Sequence, residues 1–130
     1  MGRLHLNLTV SKLMTRDVLA VSPWVDAEDA WQQMRASGVH HLVVMDRDRL
    51  VGVISDRDLG GVRGVSTRWG AQVKDLMTRQ LVTATPRTSV ETAADRLRKN
   101  HISCLPVFRG SKLVGIVTRS DVLAAIARHP

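Results

Sequence analysis

Ser55 and Asp58 stand three residues apart in GVISDRD, and Thr118 and Asp121 repeat that spacing in GIVTRSD. A hydroxyl followed three residues later by a carboxylate supports two chemistries. The first is internal to the chain. The hydroxyl accepts a backbone N–H of the first helical turn and the carboxylate reaches back to the capping residue, which stabilises a helix start by about 0.5–2 kcal/mol with no ligand. The second faces outward. A helix start offers unpaired N–H groups and a positive dipole end to an anion. The carboxylate would repel a phosphate, but it can accept hydrogen bonds from the vicinal hydroxyls of a ribose. One motif can do both.

Other reactive groupings are scarce. There is no nucleophile–base pair, no metal cluster and no phosphate loop of the P-loop kind, so the sequence argues against an enzyme. The single cysteine, Cys104, excludes an internal disulfide framework and reads as a small buried residue. His40 and His41 are adjacent; on a strand they point to opposite faces, so only one can serve a given cleft. The formal charge of +7 is unevenly spread: residues 1–65 carry eight Lys/Arg and eight Asp/Glu, and residues 66–130 carry eleven and four. That excess favours anionic partners, from nucleotide phosphates to nucleic acid or an acidic protein surface. Arg96, Arg98 and Lys99 read as a solvated helix face. No apolar run approaches the roughly 20 residues that cross a membrane, and MGRLHLNLTV lacks the apolar stretch of a signal peptide, which predicts a cytoplasmic protein.

The elements that position these residues follow from a duplication. At an offset of 63 residues, Val10–Gly60 aligns with Val73–Leu123 without a gap; fifteen of the fifty-one pairs are identical, which marks an internal repeat. LMTR meets LMTR, Pro23 meets Pro86, Glu28 meets Glu91, and LVG at 50–52 meets LVG at 113–115. In each copy a short extended stretch (Val18–Val21; Leu81–Ala84) ends at Ser-Pro or Thr-Pro, where proline disfavours helix in the residue before it. Ala27, Ala30, Trp31 and Met34, and then Val90, Ala93, Ala94 and Leu97, fall at i, i+3, i+4 and i+7, predicting two amphipathic helices with one buried stripe each. Asp26 and Ser89 are placed as N-caps, Thr88 with Glu91 is an alternative capping box, and Gly38 ends the first helix.

Two apolar runs around a polar turn then form a hairpin in each copy, HLVVM with LVGVIS and CLPVF with LVGIVT, the second turning at Arg109-Gly110. A second helix is expected to start at each S/T-x-x-D. The predicted fold is therefore α+β: a duplicated β-α-β-β-α unit whose two small sheets pack with pseudo-twofold symmetry and leave two related clefts. Repeat 1 spans 10–60, a Gly-rich linker 61–72 and repeat 2 73–125, the two forming one module. Trp69, in the linker, is expected to pack over the seam between the halves.

LMTR, S/T-P, CLPV and the closing GVISDRD and GIVTRSD, in order and twice, resemble the tandem cystathionine-β-synthase (CBS) domain pair, or Bateman module. The resemblance covers about residues 10–125 and implies a stand-alone pair that regulates by binding an adenosyl ligand between repeats: AMP, ADP, ATP, S-adenosylmethionine or NAD. Carried over residue by residue, it places a hydroxyl that meets phosphate at Ser55 and Thr118, a further contact at Arg57 and Ser120, and ribose-binding carboxylates at Asp58 and Asp121. Its adenine pocket falls on Val18, Ala20, Val39, His40, His41 and Leu42 in the first copy. In the second it falls on Leu81, Thr83, Ile102, Ser103, Cys104 and Pro106.

The copies depart from each other. The first lacks the proline of Leu105-Pro106, and its VHHLVV is similar to a variant in AMP-sensing regulatory subunits of an energy-regulated kinase, which makes His41 a phosphate candidate; the second has Ser103 and Cys104 there. The two sites are thus not chemically equivalent. The resemblance also implies a homodimer, an adenosyl compound as ligand without a required cofactor or metal, and a regulated partner protein. The competing reading is an adaptor that binds nucleic acid or an acidic protein through the basic second half.

Overall fold

Ala27, Ala30, Trp31 and Met34 are all buried along one helix, Ala27–Ser37, and Val90, Ala93 and Leu97 are buried along its counterpart, Val90–Lys99. The computed structural model describes residues 7–80 and 82–128. In chain order the elements are α1 (Val10–Leu13), β1 (Ala20–Val21), α2 (Ala27–Ser37), β2 (His41–Asp46), β3 (Arg49–Ser55), α3 (Val65–Arg68), α4 (Val73–Leu76), β4 (Thr78–Arg79), α5 (Val90–Lys99), β5 (Cys104–Arg109), β6 (Lys112–Thr118) and α6 (Arg119–Arg128). The fold is α+β with two small sheets. One has the order β1-β2-β3-β4, with β1 parallel to β2 and the other pairs antiparallel; the second is the hairpin β5-β6.

The helix ends follow the chemistry of their terminal residues. Asp26 accepts the Glu28 N–H at 2.8 Å, and Gly38 closes α2 in the left-handed region at φ 66°. Ser89 accepts the Thr92 N–H at 3.0 Å, whereas Thr88 turns back to the Thr85 N–H and serves the turn before α5. His101 occupies the position of Gly38 and takes the same conformation, φ 53°, which costs a residue with a Cβ about 1 kcal/mol.

The units of packing differ from the units of sequence. One compact unit runs Leu19–Leu81; the other joins Met1–Val18 to Val82–Pro130. Each copy's leading segment therefore completes the unit built on the other copy's hairpin. The Val10 N–H donates to Thr88 O and the Val73 N–H to Val25 O, both at 2.8 Å, and each donor is 63 residues from its counterpart, as is each acceptor. Thr15 bridges Ile116 as Thr78 pairs with Val53, and Ala84 bridges Val107 as Val21 pairs with Val44. In the second unit these contacts are isolated bridges rather than strands.

The cores match in the same way. Val21, Ala27, Ala30, Met34, Leu42, Val44, Ile54, Leu59 and Val73 form one; Ala84, Val90, Ala93, Leu97, Leu105, Val107, Val117, Val122 and Val10 occupy the equivalent positions in the other. Burial of the valine, leucine, isoleucine and methionine side chains among these, each worth about 1.5–3 kcal/mol, holds each unit together.

The largest departure from the predicted elements follows Ser55. The second copy continues from Thr118 into α6, but the first makes only a turn. Leu59 N–H reaches Ser55 O at 3.2 Å, and the chain then leaves through Gly60 and Gly61 at φ 88° and 67°. Consecutive glycines in the left-handed region end a helix after one turn. The linker instead carries α3. Arg68, 2% exposed, donates to Leu59 O and Gly61 O at 2.8 Å each and to Glu28 at 3.2 Å, and lies 4.4 Å from the centroid of the Trp31 ring. Trp31 and Arg68 occupy volume at a position where the second copy has only Ala94. Trp69 is 85% exposed, contrary to the expected burial; it follows α3 as its C-cap residue, while Arg68 before it is the one turned inward.

Candidate functional site

Both S/T-x-x-D motifs are closed capping boxes. The Ser55 N–H donates to Asp58 Oδ2 at 2.9 Å and the Asp58 N–H to Ser55 Oγ at 3.0 Å; the Thr118 N–H donates to Asp121 Oδ2 at 2.8 Å and the Asp121 N–H to Thr118 Oγ1 at 3.2 Å. All four residues are half-buried, while Arg57 and Ser120 are exposed. Each box uses one carboxylate oxygen, and a carboxylate has two oxygens with about four acceptor positions. Capping therefore leaves chemical capacity for a second donor.

Strand pairing brings the expected neighbours to these boxes. His41 pairs with Ser55 and Cys104 with Thr118 in the hairpin registers. The Asp56 N–H donates to His40 O at 3.0 Å and the Arg119 N–H to Ser103 O at 2.9 Å. The first set thus places His41 beside Ser55 and, one turn on, Asp58; the second places Ser103 and Cys104 beside Thr118 and Asp121. Ala20 pairs with Val43, and the Pro106 carbonyl accepts the Ala84 N–H at 3.0 Å.

The remaining predicted residues divide by burial. Leu42 and Cys104 are fully buried and Pro106 is buried, so their side chains belong to the packed interior. Val39 and Ile102 are half-buried and packed against their cores. Val18 is half-buried and falls in a different unit from the rest of its set; Leu81 lies outside the described residues. Thr83 is half-buried, and its carbonyl accepts Arg96 Nη1 at 2.8 Å, so Arg96 anchors the segment before Ala84 rather than forming part of a purely solvated face. His40 turns away to a groove beside α2, where Nδ1 lies 3.0 Å from Asp56 Oδ2.

Sequence reasoning missed Arg68 and the His40–Asp56 pair. The signal for Arg68 was a lone arginine beside an aromatic residue in a linker, too common a pattern to stand out. Among the described residues no group of three or more His, Cys, Asp or Glu could hold a metal ion, and no helix is long and apolar enough to cross a membrane.

A duplicated α+β unit with a capped S/T-x-x-D at the end of each hairpin defines a tandem-repeat architecture. The family model of the CBS domain matches residues 10–59 and 73–128, and the chain belongs to that family. The CBS-pair protein CBSX2 from Arabidopsis thaliana is 32% identical and superposes with a TM-score of 0.74 over 93% of this chain and 95% of that one. CBSX2 in complex with AMP is 31% identical, with a TM-score of 0.76 over 93% and 97%. The CBS domain-containing protein YhcV of Bacillus subtilis is 30% identical over 115 residues, 88% of this chain and 82% of that one. The chain spans about a quarter of the length of several other curated relatives. One is a homoserine O-acetyltransferase of Methanosalsum zhilinae, 31% identical over 125 residues, 95% of this chain and 25% of that one.

Proposed function

We propose that the chain is a non-catalytic regulatory module of the cytoplasm that binds an adenosyl ligand and signals by a ligand-dependent shift between conformations. The observation that carries this reading is the matched pair of S/T-x-x-D boxes, each at a strand end beside a half-buried histidine or a serine–cysteine pair. AMP in the complex of CBSX2, 31% identical over nearly the whole chain, supports an adenine nucleotide as the ligand class. Ser55 and Thr118 would meet phosphate, and Asp58 and Asp121 would accept ribose hydroxyls through the oxygen their caps do not use. His41 makes the first set the better phosphate site; Ser103 and Cys104 make the second the more neutral one. We also infer a homodimer acting on a regulated partner protein.

A second reading rests on charge. The unit that includes the second copy carries eleven Lys/Arg against four Asp/Glu, net +7, while the other carries eight of each. That asymmetry suits an adaptor for nucleic acid or an acidic protein. A thermal-shift panel of AMP, ADP, ATP, S-adenosylmethionine, NADH and a short RNA separates the two, since a ligand of the folded state raises the melting temperature with occupancy. A shift with an adenosyl compound is expected. No shift with any of them, after refolding to strip carried-over ligand, refutes the leading reading, and a salt-sensitive shift with RNA alone favours the second.

A further inference from the structure

The Ser55–Asp58 and Thr118–Asp121 boxes close with the same pair of bonds, but only the second has a helix behind it. After Asp121 the chain runs on through α6, so the carbonyls of Val122 and Ala124 accept N–H groups four residues further along. The equivalent carbonyls in the first copy belong to Leu59 and Gly61, where the two glycines end the helix. A single helical turn is unstable by itself, because its nucleus fixes several dihedral angles for one hydrogen bond.

Arg68 stands in for the missing turns. Its Nη1 donates to Leu59 O and to Gly61 O, both at 2.8 Å. Nε lies 3.2 Å from Glu28 Oε2, and the guanidinium sits 4.4 Å from the centroid of the Trp31 ring. Leu59, the residue after Asp58, is thereby held on both sides: its N–H by Ser55 O at 3.2 Å and its carbonyl by Arg68. A planar fork of donors serves two carbonyls, a carboxylate and a ring face together; a lysine ammonium has one nitrogen and no face to stack. Every member of this network lies in the unit Leu19–Leu81.

We propose, resting on the adenosyl reading above, that Arg68 is the positioning residue of the first site. It holds the Ser55–Asp58 box in the geometry that presents the second oxygen of Asp58 to a ligand, and so ties affinity in the first copy to the linker helix α3.

Calorimetric titration of the full chain with AMP, in an Asp121→Ala background so that the first copy alone reports, tests this role. Arg68→Ala is expected to weaken AMP at least tenfold, and Arg68→Lys, which keeps the charge and one donor nitrogen, by a smaller factor of at least three. Leu97→Val, which loosens the core of the other unit, is expected to lower the melting temperature and leave AMP affinity within twofold. A merely structural arginine would behave as Leu97 does. If Arg68→Ala is unfolded by circular dichroism, Arg68→Lys decides. Unchanged affinity in Arg68→Lys, or an equal loss in Leu97→Val, overturns the role of Arg68 and leaves the adenosyl reading standing. An Asp121→Ala chain that no longer binds AMP overturns it too and assigns the ligand to the second copy. If the unsubstituted chain binds no AMP, the role of Arg68 fails, and the thermal-shift panel judges the adenosyl reading by itself.

Discussion

The carbonyl of Thr78 lies over Gly52 so closely that a Cβ at position 52 would overlap it. The glycine of GVISDRD is thus required by the segment that crosses its strand. At Gly115 the equivalent Cβ would meet Met14 Sδ at 2.6 Å and the Thr15 carbonyl at 3.1 Å. A thioether can swing aside and a backbone carbonyl cannot. We predict that Gly52→Ala destabilises by about 3 kcal/mol and Gly115→Ala by about 1 kcal/mol, measured by urea unfolding; equal costs would contradict the distinction.

The capping boxes yield a prediction that separates stability from binding. Ser55→Ala and Thr118→Ala should each cost about 1 kcal/mol through the lost cap. Asp58→Ala and Asp121→Ala should lower the melting temperature of the free protein by a similar amount. Only in a copy that binds ligand should the aspartate variant also abolish the increment that AMP adds. An increment retained in both aspartate variants would remove the carboxylates from the site.

Arg68 is buried with two backbone carbonyls as acceptors, so its removal strands both. We expect Arg68→Ala to cost about 3 kcal/mol and to loosen the turn after Asp58. Glu28, whose side chain is 42% exposed, should matter less, with Glu28→Gln costing under about 1 kcal/mol. Chemical denaturation of both variants decides; a larger loss for Glu28→Gln would overturn the ranking.

His101 does with a side chain what Gly38 does without one. Replacing it with glycine should stabilise by about 0.5–1 kcal/mol, because the left-handed conformation is unstrained only for glycine. A lower melting temperature for His101→Gly would show that its imidazole contributes more than its backbone costs.

Much of the fold was legible because a repeat tests each inference twice. The stripe Ala27, Ala30, Trp31 and Met34 could be checked against Val90, Ala93, Ala94 and Leu97, and both hairpins were framed by polar turns. The boxes at Ser55 and Thr118 were legible for the same reason. Periodicity could not show that Val10 packs with Val90, in the other copy, rather than with Ala27 in its own, since either choice buries the valine against a small apolar residue at a helix start. Nor could it show that Gly60-Gly61 would stop a helix its twin continues, or that Arg68 would turn inward and Trp69 outward. These outcomes depend on what lies above a surface, and their traces in the sequence are slight: Gly60-Gly61 where the second copy has Leu123-Ala124, and Trp31 where it has Ala94.

The exchange of leading segments has a consequence for the history of the chain. The stretch copied in the gene and the stretch that packs as a body are offset by one segment, so an exon or fragment holding one copy carries a leader for a sheet it does not contain. Such a piece could persist only by folding its leader back or lending it to another chain. Removing either copy would leave the unit that stays without its leading segment.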